Sequence, residues 1–185
     1  MNLKMERREK SFSFFLIFFV FLLFFIFFIL QVLGPIFLPK ASITDLSGST
    51  AIFDNEFEIS NMPQPWNFIY SIGDRMCHQK SERSFFINNN QMPFCSRCTG
   101  IWAGIAFGLG FILFFKINLD KRFFYLLIIS VIPIGVDGIG QLLGFWQSTN
   151  IIRLSTGLFI GFIAGISIGI IIDEFTDILS KYKKN

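Results

Sequence analysis

Four stretches of the chain carry almost no polar positions. Uncharged runs cover Ser11–Pro39, Cys98–Phe115 and Leu154–Ile172, and Phe123–Ile152 carries a single charged residue, Asp137. A hydrocarbon core of ~30 Å needs about 20 helical residues, and each stretch is near or above that length. The runs have no wet face, so packing them as a soluble core would require helices apolar all round, which a small domain cannot bury. The pattern therefore predicts an all-α membrane protein of about four transmembrane helices.

The first run is dominated by Phe, which makes up more than half of Phe12–Leu30, and it has no small-residue face. A basic start followed by a long apolar run, with no Ala-x-Ala site and an end at Leu33–Gly34–Pro35, reads as an uncleaved signal anchor. The other runs are built differently. Gly100, Gly104 and Gly108 recur every four residues on the second span, and Gly157, Gly161, Gly165 and Gly169 do so on the fourth. In lipid, helices associate by close van der Waals contact, and such stripes let backbones approach. The third span has Gly135, Gly138, Gly140 and Gly144. The expectation is a glycine-packed three-helix core of spans two to four, with the N-terminal signal-anchor helix outside it.

Between the first two spans lies a long polar segment. Residues 38–65 read as a loop, with a short strand expected at Ala51–Ile59. Pro65 suits the first position of a helix. Trp66, Ile69, Tyr70, Ile72 and Met76 then form an apolar face on a short amphipathic helix, with Trp66 and Tyr70 at headgroup depth. Phe85–Ile87 and Gln91–Phe94 are expected to pair as a hairpin around Asn88–Asn89–Asn90, since Asn tolerates left-handed backbone. By domains, residues 1–37 are a tail and anchor, 38–65 an extracytoplasmic loop, and 66–185 a small extracytoplasmic Cys/His cap with the three-helix membrane domain.

Charge sets the orientation. Lys4, Arg7, Arg8 and Lys10 precede the first span, Lys116, Lys121 and Arg122 separate the second and third, and Lys181, Lys183 and Lys184 follow the last. The positive-inside rule puts all three groups in the cytoplasm, giving a multi-pass protein of the cell membrane with both termini cytoplasmic. A net charge of +3 with no basic stripe interleaved with aromatics excludes a nucleic-acid partner. The partner implied is the lipid bilayer, with a protein partner or oligomer left open.

All three cysteines and the sole histidine fall between residues 77 and 98. Cys77, His78, Cys95 and Cys98 make a complete tetrahedral ligand set for zinc, and Cys95-x-x-Cys98 at the start of a helix resembles a zinc knuckle. The same Cys-x-x-Cys supports disulfide exchange, and an outer face favours oxidised thiols, so a membrane thiol-disulfide oxidoreductase using Cys95 and Cys98, or a plain structural disulfide, stays open. If His78 is not a ligand, it becomes a candidate base beside a three-cysteine site with an open position. Asp137 is costly in hydrocarbon unless paired or wet. With Gln141 one turn on, and with Arg97, Arg83 and Arg153 near the outer face, it forms a polar layer below the cysteines. That layer is read either as a helix lock or as the path of a small transporter; a structural membrane subunit is the remaining alternative. Candidate catalytic residues are Asp137, His78 and Arg97, with Gln79, Arg83, Gln141 and Arg153 in support.

Cys77-His78-Gln79, then Glu82-Arg83-Ser84-Phe85-Phe86, Gln91-Met92-Pro93-Phe94-Cys95-Ser96-Arg97-Cys98-Thr99-Gly100-Ile101, Gly104 and Asp137-Gly138, resembles a family of small prokaryotic predicted membrane proteins. It is the domain-of-unknown-function family numbered two thousand and eighty-five. The resemblance covers roughly residues 66–172 and rests on the CHQ…CxRCxG core. It implies a compact helical membrane domain and marks these residues, and it implies no particular reaction.

Overall fold

The computed structural model describes residues 12–117 and 119–182. The basic groups of residues 1–11 and Lys183–Lys184 lie outside the described residues. Among the described residues six α-helices, a 3-10 turn (Ser81–Arg83, between α3 and β1) and one hairpin follow in order: α1 (Phe12–Phe37), α2 (Glu56–Ser60), α3 (Trp66–Met76), β1 (Ser84–Ile87), β2 (Asn90–Cys95), α4 (Ser96–Phe114), α5 (Lys121–Leu142) and α6 (Asn150–Tyr182). Four of them, α1, α4, α5 and α6, are long and apolar enough to cross a membrane.

The glycine stripes are the joint between α4 and α6. A Cβ on Gly100, Gly104 or Gly108 would strike the carbonyls of Leu154, Leu158 and Phe162 in turn. A Cβ on Gly157, Gly161 or Gly165 would strike those of Arg97, Ile101 and Ile105. Both series ascend together, so the two helices run parallel in backbone-to-backbone contact, as small-residue stripes permit. The glycines of α5 take no such part. Gly135 faces open space and the nearest atom to a Cβ on Gly138 is an Arg97 nitrogen. α5 returns the chain along α6 with Ile128, Ile132, Val136 and Ile139 exposed. The glycine-packed core is thus a pair, with α5 leaning on it.

α1 packs antiparallel on α4. Ile17 is fully buried among Leu109, Ile112 and Leu113, while Phe12, Phe15 and Phe19 face outward. Nearer the cap, Phe27 meets Trp102 edge-on at 4.8 Å between ring centroids, an arrangement that aromatic quadrupoles favour. α6, at 33 residues, is about 50 Å long and outreaches a ~30 Å core by several turns at the end away from the cap.

The cap is a compact layer over one end of the bundle. β1 and β2 pair antiparallel, with Ile87 opposite Asn90 and Phe86 opposite Gln91. Asn88 and Asn89 carry φ of 55° and 59°, the left-handed pair that a two-residue hairpin needs. Buried Asn90 fastens the hairpin to the end of α1. Its amide donates to the Pro35 and Pro39 carbonyls at 3.0 and 2.9 Å, and its Oδ1 accepts from the Ser42 and Ile43 amides. Three expectations change here. Residues 51–59 form no strand; α2 begins at Glu56 instead. α3 begins at Trp66, with Pro65 as its N-cap. Tyr70 is fully buried inside the cap and presents no face to its surroundings; its hydroxyl donates to the Gln91 carbonyl at 2.7 Å.

Candidate metal centre

Three elements deliver the cysteines. Cys77 caps the end of α3, Cys95 ends β2 and is the N-cap of α4, and Cys98 sits in the first turn of α4. α3 can lie this close to β2 because Gly73, one turn before Cys77, has no side chain; a Cβ there would collide with the Pro93 carbonyl. Buried Gln79 locks the same junction, its amide donating to the Pro93 carbonyl at 2.7 Å. Its φ of 43° bends the chain away from α3.

The sulfurs of Cys77, Cys95 and Cys98 lie within 4.8 Å of one another, and all three are free thiols. A tetrahedral zinc with Zn–S bonds of ~2.3 Å sets sulfurs ~3.8 Å apart, so rotamer adjustments of about an ångström close the set. The cluster handles charge unevenly. The Cys95 thiol is held well below its ordinary value by hydrogen bonds from the Cys77 thiol and then the Cys98 thiol, helped by the α4 amides of Cys98 and Arg97. Cys77 is pushed up, first by its hydrogen bond to Cys95 and then by burial.

His78 does not join the three sulfurs. Its backbone turns at the extended Cys77, its carbonyl accepts from the Gly48 amide at 3.0 Å, and its side chain is exposed. It lines, with the cysteines, a cavity of about 370 Å³. The other walls are Met76, Lys80, Arg83, Arg97 and Arg153. Four cations thus surround the mouth of the cluster.

Below them runs the polar layer. Arg97 pairs with Asp137, which is 5% exposed. Gln141 donates to the Asp137 carboxylate at 2.9 Å and accepts from Arg153 at 2.8 Å. Arg153 also donates to Asn150 at 3.2 Å, and Asn150 bonds to Ser96 and to the Ser84 carbonyl. Asp137, Gln141, Arg97 and Arg153 therefore converge as one network across α4, α5 and α6. Arg83 stands on the cavity wall with an exposed partner, Glu82, at 3.5 Å. Arg153 is 7% exposed, and among the described residues no carboxylate lies within ion-pair distance of it.

Residues 77–167 match the model of a family described as predicted membrane protein (DUF2085). An uncharacterized protein of Methanocaldococcus jannaschii is 38% identical over 105 residues, which cover 52% of this chain and 66% of that one. An uncharacterized protein of Methanothermobacter thermautotrophicus is 37% identical over 83 residues, 45% of this chain and 75% of the relative. The chain belongs to the DUF2085 family. No solved structure matches. The DUF2085 region begins at Cys77 and takes in the hairpin, α4, α5 and most of α6. It therefore contains the three sulfurs, the whole polar layer and every cavity residue except Met76.

Sequence reasoning gave no site role to Lys80, Met76, Ser96 or Asn150. Lys80 and Met76 flank Cys77-His78-Gln79 within three residues, a proximity that could have flagged them. Ser96 stands inside the Cys95-x-x-Cys98 core, but its bond to Asn150, which carries no signal of its own, arises only when the starts of α4 and α6 meet.

Proposed function

We propose that this is a membrane-embedded zinc protein in which Cys77, Cys95 and Cys98 hold the ion and leave its fourth position open to the basic cavity. The observation that supports the reading is the convergence of three sulfurs within 4.8 Å at the floor of a cavity, with His78 outside the group. Closed structural zinc sites use four protein ligands, whereas three plus an open position is the pattern of reactive sites. Zinc so held acts as a Lewis acid toward whatever takes that position, water included. The chain's own residues supply the rest. His78 faces the open side, the cations receive negative charge, and the Arg97–Asp137–Gln141–Arg153 network fixes the floor. Positive groups at the end away from the cap support an orientation with the cluster on the extracytoplasmic side and both termini cytoplasmic.

The test is metal content of detergent-purified protein, with thiols counted on the same sample. About one zinc per chain is expected, with thiols reactive only after chelation. H78A should keep its zinc, whereas C77S, C95S and C98S should each lose it. Loss of zinc in H78A would make the site four-liganded and closed. A metal-free protein with a Cys95–Cys98 disulfide would overturn the reading.

A second reading rests on the lowered Cys95 thiol at a helix start, the mark of a reactive cysteine. Cys95 and Cys98 would pass two electrons and two protons to a partner disulfide, forming their own disulfide as the partner becomes a dithiol. The thiol count separates the two.

A further inference from the structure

Met76 lines two cavities. One is the basic cavity over the sulfurs, and the other is an apolar groove of about 330 Å³ whose walls are Leu23, Phe24 and Phe27 of α1, Ile72 and Met76 of α3, and Trp102 of α4. Trp102 lies one turn below Cys98, so the groove descends from the cluster into the membrane-spanning part of the bundle. We propose that the two cavities form one site for a membrane lipid with a phosphate headgroup, the phosphate among the cations and the chain in the groove between α1 and α4.

The charge balance points to an anion. A divalent ion on three thiolates leaves one negative charge at the floor, and Asp137 neutralises Arg97. Lys80, Arg83 and the buried Arg153 remain, three positive charges against that one and against the exposed Glu82 at 3.5 Å, which leaves the cavity with an excess of positive charge. A buried arginine bonded only to the neutral side chains of Gln141 and Asn150 is costly without a counter-charge. Guanidinium forks match phosphate oxygens in geometry, and several cations arranged about a cavity suit an anion that accepts from several directions. The groove supplies the other half of an amphiphile, since all six of its residues are apolar or aromatic. This extends the reading of the cavity as the ligand side of the metal site, and it names the class of ligand.

Trp102 is the natural reporter. The variant W66F/W146F, keeping Trp102 alone, is placed in phosphatidylcholine vesicles after its zinc has been measured. Chain-brominated phosphatidic acid is expected to quench Trp102 at about tenfold lower mole fraction than chain-brominated phosphatidylcholine. K80Q/R83Q, which alters two side chains at the rim, should remove that preference without shifting Tm. I72F, which narrows the groove, should weaken quenching by both lipids. Equal quenching by the two lipids overturns the proposal. So does inorganic phosphate displacing phosphatidic acid at matched concentration with I72F without effect, because the occupant would then be a soluble phosphate compound. Zinc present without lipid preference sinks this proposal alone; lipid preference without zinc sinks the metal reading alone.

Discussion

Asp137 shows how much a single residue decides here. It sits in α5, within a stretch of chain otherwise uncharged from Phe123 to Ile152, and its carboxylate meets Arg97 on α4 and Gln141 on its own helix. Being engaged from both sides fits a lock between helices better than a wet transport path. D137N should destabilise the protein by about 1–3 kcal/mol, because it leaves a partly buried arginine without its counter-charge. In unfolding experiments in detergent, D137N/R97Q should cost less than the sum of the two single variants. Additive losses would show that the pair is not coupled. At this scale, what could be read beforehand were residues whose chemistry is unusual in place: thiols in a cluster, a carboxylate in hydrocarbon. The fastening role of Asn90 and the place of Asn150 were not readable, because an Asn in a polar turn is ordinary until the fold sets it against another element.

At the scale of elements, the glycines separate into those that touch a neighbouring backbone and those that do not. G104A puts a methyl group into the Leu158 carbonyl and must push α4 from α6, whereas G135A enters open space. G104A should lower Tm markedly and disturb the cluster, since Cys98 lies less than two turns away. G135A should be neutral or raise stability by roughly 0.4–1 kcal/mol through helix propensity. Equal effects would mean that the α4–α6 contact is not the main joint. The four spans, the hairpin and its Asn turn were legible from period, length and turn chemistry. The short strand expected at 51–59 was not realised, and Tyr70 went inside the cap. Both depend on what a loop packs against, which local pattern does not record. Glycine content alone grouped α5 with α4 and α6, although its spacing is less regular; contact separates it from them.

For the whole molecule, α4 and α6 run parallel and α1 antiparallel to α4, so the start of α1 and the end of α6 lie at the same end, opposite the cap. A fluorescent protein fused after residue 185 should therefore fluoresce if that end is cytoplasmic, while an alkaline phosphatase fused at the same point should be inactive. An active phosphatase fusion would reverse the orientation and place the three thiols in a reducing compartment.

The parallel pair also fixes an order of assembly. Two neighbouring helices pointing the same way cannot be joined by a tight turn, so α5 must cross the bilayer before α6 can reach its place beside α4. The hairpin and all three sulfurs emerge during synthesis long before Arg153 does. On the zinc reading, the three sulfurs would be in place for the ion before Arg153 completes the wall of the cavity.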